Sequence, residues 1–162
     1  RTTLTLQTVD VQRALRFLQV PRAEEIEARV SGSVYLHILN GDWAAIEVDL
    51  YTEPDSVRLS REVIKTILGG SLQPDLIEQR VEPTLTAHFG AARMIPIRSM
   101  RIRGRLDHAV LTLAIPLRND ALNIDFEPRI DRAGLWALWE FLRDAGLRDM
   151  PQIGQWEMEA GN

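Results

Sequence analysis

Residues 106–126 read LDHAVLTLAIPLRNDALNIDF. Leu111, Leu113, Ile115 and Leu117 hold every second place, the pattern stops at Arg118-Asn119-Asp120, and Leu122, Ile124 and Phe126 resume it. A period of two belongs to strands, whose side chains alternate between opposite faces. The stretch therefore reads as paired strands with one apolar face, with turns near Asn119-Asp120 and Asp107-His108. Pro116, like Pro96 upstream, lacks the amide that a ladder needs, which places both at sheet edges or bulges.

Upstream, residues 28–54, ARVSGSVYLHILNGDWAAIEVDLYTEP, form a hairpin. Val34, Leu36 and Ile38 alternate with Tyr35, His37 and Leu39, and Ile46, Val48 and Leu50 alternate on the return. Asn40-Gly41 between them tolerates the positive φ of a tight turn. Helical spacing marks three further stretches. Asp10 caps a helix that aligns Val11, Ala14, Leu15 and Leu18 and that Pro21 ends. Ser60 caps one that aligns Val63, Ile64, Ile67 and Leu68, with Gly69-Gly70 as its stop. Asp131 caps the last, which carries Leu135, Leu138, Trp139 and Leu142 with Trp136 alongside and ends at Gly146. Residues 73–83, QPDLIEQRVEP, add a helical stretch bounded by Pro74 and Pro83.

Together these predict a single α+β domain over residues 1–150 and an irregular tail over 151–162. The sheet is mostly antiparallel, flat or curled, with three or four amphipathic helices packed on one face. With 162 residues, 45% of them hydrophobic and 26% charged, the chain is long enough for a real core. The absence of cysteine excludes disulfides, thiolate metal sites and cysteine nucleophiles. No apolar run reaches the ~18 residues of a membrane span, and no signal-peptide pattern is visible. The chain opens on Arg1, and it is expected to be a piece of something longer.

No residue pattern carries a catalytic signature. His37, His88 and His108 lie far apart without metal-ligand spacing and read as solvated surface. Glu24, Glu25 and Glu27 read as a polar helix face, and Asp144 and Asp149 as loop ends. No serine sits in G-x-S-x-G, and no glycine run forms a phosphate cradle. No catalytic, metal-binding or cofactor-binding residue is therefore expected. Arg101, Arg103 and Arg105 share one strand face, with Arg98 just before them. Such a row can hold phosphates of nucleic acid or of lipid headgroups, or it can be a solvated face that discourages strand aggregation. The net charge of −4 and 6% aromatic content argue against nucleic acid. Trp136 and Trp139 either pin their helix to the sheet or line a lipid-binding cavity.

The strand positions that point one way are Val34, Leu36, Ile38, Ile46, Val48, Leu50, Leu111, Leu113, Ile115, Leu117, Leu122, Ile124 and Phe126. At roughly 25 cal/mol per Å² this surface must be covered. Either the helices cover all of it, or the sheet curls into a trough that they close in part.

Residues 10–70, DVQRALRFLQVPRAEEIEARVSGSVYLHILNGDWAAIEVDLYTEPDSVRLSREVIKTILGG, resemble a segment of the AsmA-like envelope proteins, above all the dicarboxylate-transport or YdbH-type branch. Asp10, Leu15, Leu18, Ser31, Gly32, Val34, Leu36 and Gly41 match its rhythm of short helix, small-residue element and alternating strand. Residues 104–142, GRLDHAVLTLAIPLRNDALNIDFEPRIDRAGLWALWEFL, are similar to the closing strands and helix of such proteins. The resemblance implies an elongated β-groove with an apolar interior that conducts phospholipid between the two membranes of Gram-negative bacteria. It carries over no catalytic residues. Those proteins are several times longer and have an N-terminal membrane helix, so the resemblance implies a fragment of a periplasmic, inner-membrane-anchored parent.

On this reading the chain is non-enzymatic and binds or conducts phospholipid, or another apolar ligand, through Val34, Leu36, Ile38, Ile46, Val48, Leu111, Leu113, Ile115, Ile124 and Phe126. Arg101, Arg103 and Arg105 would meet headgroups. Envelope proteins are the expected partners, membrane contact would come through other parts of the parent, and nucleic acid is not expected. The alternative is a structural or protein-interaction domain of an envelope assembly, with its sheet fully covered. An enzyme with a fold-assembled carboxylate or histidine site is the third possibility; it would show as a polar pocket of clustered titratable groups.

Overall fold

The computed structural model describes residues 1–141 and the strand 153–158. The strands are β1 (Thr2–Asp10), β2 (Ile26–Glu27), β3 (Arg29–Leu39), β4 (Asp42–Thr52), β5 (Val57–Ser60), β6 (Met94–Ile97), β7 (Arg101–Asp107), β8 (Val110–Arg118), β9 (Asn123–Phe126), β10 (Arg129–Ile130) and β11 (Ile153–Met158). The helices are α1 (Val11–Phe17), α2 (Arg61–Leu68), α3 (Pro74–Leu76), α4 (Glu82–Phe89) and α5 (Arg132–Glu140), with a π-helical segment, Ile77–Val81, fusing α3 to α4. The fold is mixed α+β with antiparallel pairing, as the alternation implies.

Among the described residues the strands form two sheets. The larger is 8-stranded and open, in the order β10-β8-β7-β4-β3-β1-β11, with β9 also on β8. The smaller is 3-stranded, in the order β2-β5-β6. Each has its own core. Leu4, Leu6, Val9, Val30, Val34, Leu36, Trp43, Ile46, Val48, Leu111, Leu135 and Phe141 fill the first, between the large sheet and α1 and α5. The second gathers α2 and α4 over the small sheet, together with Leu117 and Leu122 from the β8–β9 hairpin; Ile64, Leu85 and Ile95 in it are fully buried. The helices thus serve two sheets rather than one face of one sheet. Strand β8 belongs to both: Leu111 and Leu113 pack on the first core, Ile115 and Leu117 on the second.

Most predicted caps and turns are in place. Asp10 Oδ1 accepts from Gln12 N at 2.9 Å, Ser60 Oγ from Val63 N at 3.0 Å, and Asp131 Oδ1 from Gly134 N at 2.9 Å. Asn40 and Gly41 have φ of 53° and 77°, the mirror-image turn that suits strand twist. His108 and Ala109 repeat this geometry between β7 and β8, at φ of 49° and 64°, without a glycine. Pro96 stands on β6, an edge of the small sheet, and Pro116 on β8 beyond Ala114, where the pairing with β7 has ended.

Two expectations are corrected. Helix is not bounded by Pro83 but continues through it to Phe89. The missing amide and the proline ring disturb the preceding turn, and the π-helical widening over Ile77–Val81 absorbs that disturbance. The tail is not irregular throughout either. Ile153–Met158 pairs antiparallel with β1, covering a strand whose outer N–H and C=O groups would otherwise be unpaired. The predicted helix end at Gly146, with Leu142, Asp144 and Asp149, lies outside the described residues, as do 151–152 and 159–162.

Candidate functional site

The first core does not close. A cavity of about 170 Å³ remains between the large sheet and α1 and α5. Its floor comes from strand positions of one parity, including Val34, Leu36, Ile46, Val48, Leu111 and Leu113; its roof includes Val11, Ala14, Leu135, Leu138, Trp139 and Phe141. Among the described residues, every one that lines it is apolar or aromatic. Across the strands Leu4, Val34, Val48, Gly104 and Leu113 stand in one row. Gly104 leaves a gap there that Leu113 fills, since a Cβ would lie 2.5 Å from Leu113 Cδ2.

Polar groups at the rim set the roof. Val11 N donates to Ala28 O at 3.0 Å, fixing the start of α1, and Phe17 meets Phe141 with ring centroids 5.1 Å apart. Arg132 Nε lies 3.1 Å from Asp42 Oδ1, and the same oxygen accepts from Trp43 N at 2.8 Å. That carboxylate therefore ties the first turn of α5 to the β3–β4 hairpin. The tie brings Trp136 onto Trp43 at 4.6 Å between centroids and Trp139 edge-on at 6.1 Å. The helix tryptophans pin α5 to the sheet, and Trp139 also walls the cavity.

Trp43 lay outside the sequence-derived set. Strict alternation from Ile46, Val48 and Leu50 turns position 43 outward, but the register shifts so that His37 faces Ala45 while Ile38 faces Trp43. The extra residue of this bulge flips the parity. The consecutive small residues Ala44-Ala45, which interrupt the alternation, were the available signal.

Of the ten apolar residues assigned to the ligand face, Val34, Leu36, Ile46, Val48, Leu111 and Leu113 line the cavity. Ile38 does not: with Leu39 it stands exposed at the hairpin end. Ile115, Ile124 and Phe126 pack against the second core. The continuous face read from alternation is divided because β8 runs from one core to the other.

The arginine row lies on the other side of the large sheet. Arg101, Arg103 and Arg105 alternate with Ile102 and Leu106, which pack on the first core. Arg101 is held by Asp49, Nε to Oδ1 at 2.7 Å and Nη2 to Oδ2 at 2.6 Å. That forked hydrogen bond, with the charges of Arg101 and Arg103, keeps the Asp49 carboxyl below its ordinary value. Arg103 faces Asp49 and Arg105 faces Glu47 across the strands. A broad depression of about 1010 Å³ on this face is lined by both signs of charge, with Asp107 and Glu127 beside the arginines. Since the sheet separates the row from the cavity, a chain in the cavity would not place its headgroup there.

The histidines occupy separate elements: His37 on β3, His88 on α4 with Nδ1 3.0 Å from Thr84 O, and His108 in the β7–β8 turn. Among the described residues no group of three His, Cys, Asp or Glu side chains converges as a metal site would require. No described helix is long and apolar enough to cross a membrane. No family model, curated protein or solved structure matches this chain.

Proposed function

We propose that this domain is a non-enzymatic binding module that holds a hydrocarbon chain between its large sheet and the helices α1 and α5. The cavity carries this reading. Its described lining is wholly apolar or aromatic, and at about 0.8 kcal/mol per buried methylene a three-carbon segment placed there gains about 2 kcal/mol. A domain of this size has only about 5–15 kcal/mol of net stability. A dry cavity of similar size, about 150 Å³, accepts benzene or xenon. The space therefore suits a short segment of one chain, and a whole phospholipid exceeds it. In the envelope setting implied by the AsmA-like resemblance, that chain would be one acyl chain of a phospholipid. Holding it, rather than conducting it along a continuous groove, is what a pocket of this size, partly covered by α1 and α5, supports.

The covering helices favour a second reading, a structural or interaction domain whose cavity is a packing defect. Purification from a Gram-negative host followed by native mass spectrometry and lipid extraction separates the two. Binding predicts a lipid adduct that Leu113→Asp removes and Ile115→Asp retains, both variants keeping native circular dichroism. Ile115 is the control because it belongs to the second core. A lipid-free wild-type chain that also fails to take up short hydrocarbons would sink the binding reading.

A further inference from the structure

Strand β7 has no side chain at its centre on the core face. Gly104 pairs there with Val48 on one side and Leu113 on the other, both branched aliphatics. The backbone does not call for a glycine. Unlike Gly32, Gly41 and Gly90, Gly104 is not held at positive φ, and it lies in a paired strand that any residue can adopt. A glycine inside a strand gives up cross-strand contacts and marks a place where something else comes close. At Gly104 that something is a side chain. Leu113 Cδ2 lies only 2.5 Å from where a Cβ would stand, while Thr112 O and Val48 Cβ lie at 3.2 and 3.3 Å. The shortest approach is thus to the free end of a leucine that also lines the cavity.

Resting on the binding reading above, we infer that Gly104 sets how long a hydrocarbon chain the cavity holds, by letting Leu113 lie over it and keep its end out of the ligand space. A Cβ at position 104 lifts Leu113 Cδ2 off the strand. The backbone of Leu113 is fixed by the β7–β8 ladder, so only its free end can move. Val48 and Leu111, which share its face of the sheet, are themselves buried core residues, and the room that the displaced end finds is the cavity it lines. About one methyl group of ligand space is then lost. Gly104 touches no ligand itself; it is a positioning residue that acts through Leu113. The affinity of an unbranched chain climbs with each methylene until the space beside Leu113 is filled, and the glycine extends that limit by one methylene.

The test titrates the linear alkanes from n-butane to n-heptane into the intact chain and reads affinity from methyl resonances. Gly104→Ala reaches its limiting chain length one methylene before wild type. It binds the longer alkanes about fourfold more weakly, the worth of one buried methylene. Leu113→Val removes the end that clashes, so Gly104→Ala made in that background costs less than about twofold. Two results overturn the inference while sparing the binding reading. One is an unchanged limit in Gly104→Ala. The other is a Gly104→Ala chain that loses Tm and binds every alkane equally less well in both backgrounds, as pressure on Thr112 O or Val48 would produce. If no alkane binds wild type, both proposals fall. A measurement on the wild-type chain covers a variant that does not fold: the cross-relaxation contact between a Leu113 methyl and the Gly104 α-protons persists with and without alkane. Its absence from the free chain overturns the inference, because Leu113 would then already stand in the cavity.

Discussion

Ala14→Leu should raise stability and abolish binding together. Ala14 lies on the roof of the cavity, on the face of α1 that packs on the first core. Leucine adds three carbon atoms that point into empty space, and its helix propensity is close to that of alanine. At about 0.8 kcal/mol per buried methylene the gain is about 2 kcal/mol. For a domain of this length that corresponds to a rise of about 4–8 °C in Tm. Scanning calorimetry on lipid-free protein measures the rise. A saturating short hydrocarbon added to each protein then tests the second half: wild type gains Tm with ligand by mass action, and the variant gains none. A core without spare volume would instead be overpacked by the larger side chain, at a cost of about 1–3 kcal/mol. A fall in Tm would therefore refute the cavity itself. A rise with ligand binding intact would refute the site but not the cavity.

Ala109→Gly should stabilise the chain by about 0.5–1 kcal/mol, read from urea unfolding, because alanine at φ 64° is held in a left-handed conformation that glycine adopts freely. Gly32→Ala should destabilise it severely, with a visible loss of midpoint in the same assay. Gly32 sits at φ 133°, and a Cβ there would lie 2.3 Å from Asp49 O, so backbone must move. The buried Glu25 should contribute to acid sensitivity. Burial raises its pKa, but the Ser60 hydroxyl bonded to it and the nearby Arg22 and Arg93 outweigh that, so the folded value lies below the ordinary 4.5. A depressed carboxyl stabilises the fold above about pH 4.5, and the contribution disappears as pH falls through the folded value. Glu25→Gln should therefore flatten the fall in stability between about pH 5 and pH 3; an unchanged acid slope would show that other carboxylates govern it.

Sequence alone determined the local elements of this protein. The β3–β4 hairpin and its Asn40-Gly41 turn, the caps at Asp10, Ser60 and Asp131, and the antiparallel α+β class all follow from spacing and from single-residue backbone preferences. These depend on neighbours a few positions apart, so they are legible in a string of residues. The six cavity-floor residues were legible for the same reason, since alternation sorts side chains by face. Only the tertiary structure decided what each face meets. Leu113 and Ile115 share a parity on one strand, yet one lines the cavity and the other fills a separate core, because β8 continues past the end of β7 into the neighbourhood of the small sheet. A bulge moved Trp43 to the inner face, and the helix passed through Pro83 by widening a turn. Each outcome depends on contacts between residues distant in sequence, which periodicity does not encode. The same limit governs function: the pattern establishes that an apolar surface exists, and the volume left between sheet and helices decides whether it is packed shut or kept open for a ligand.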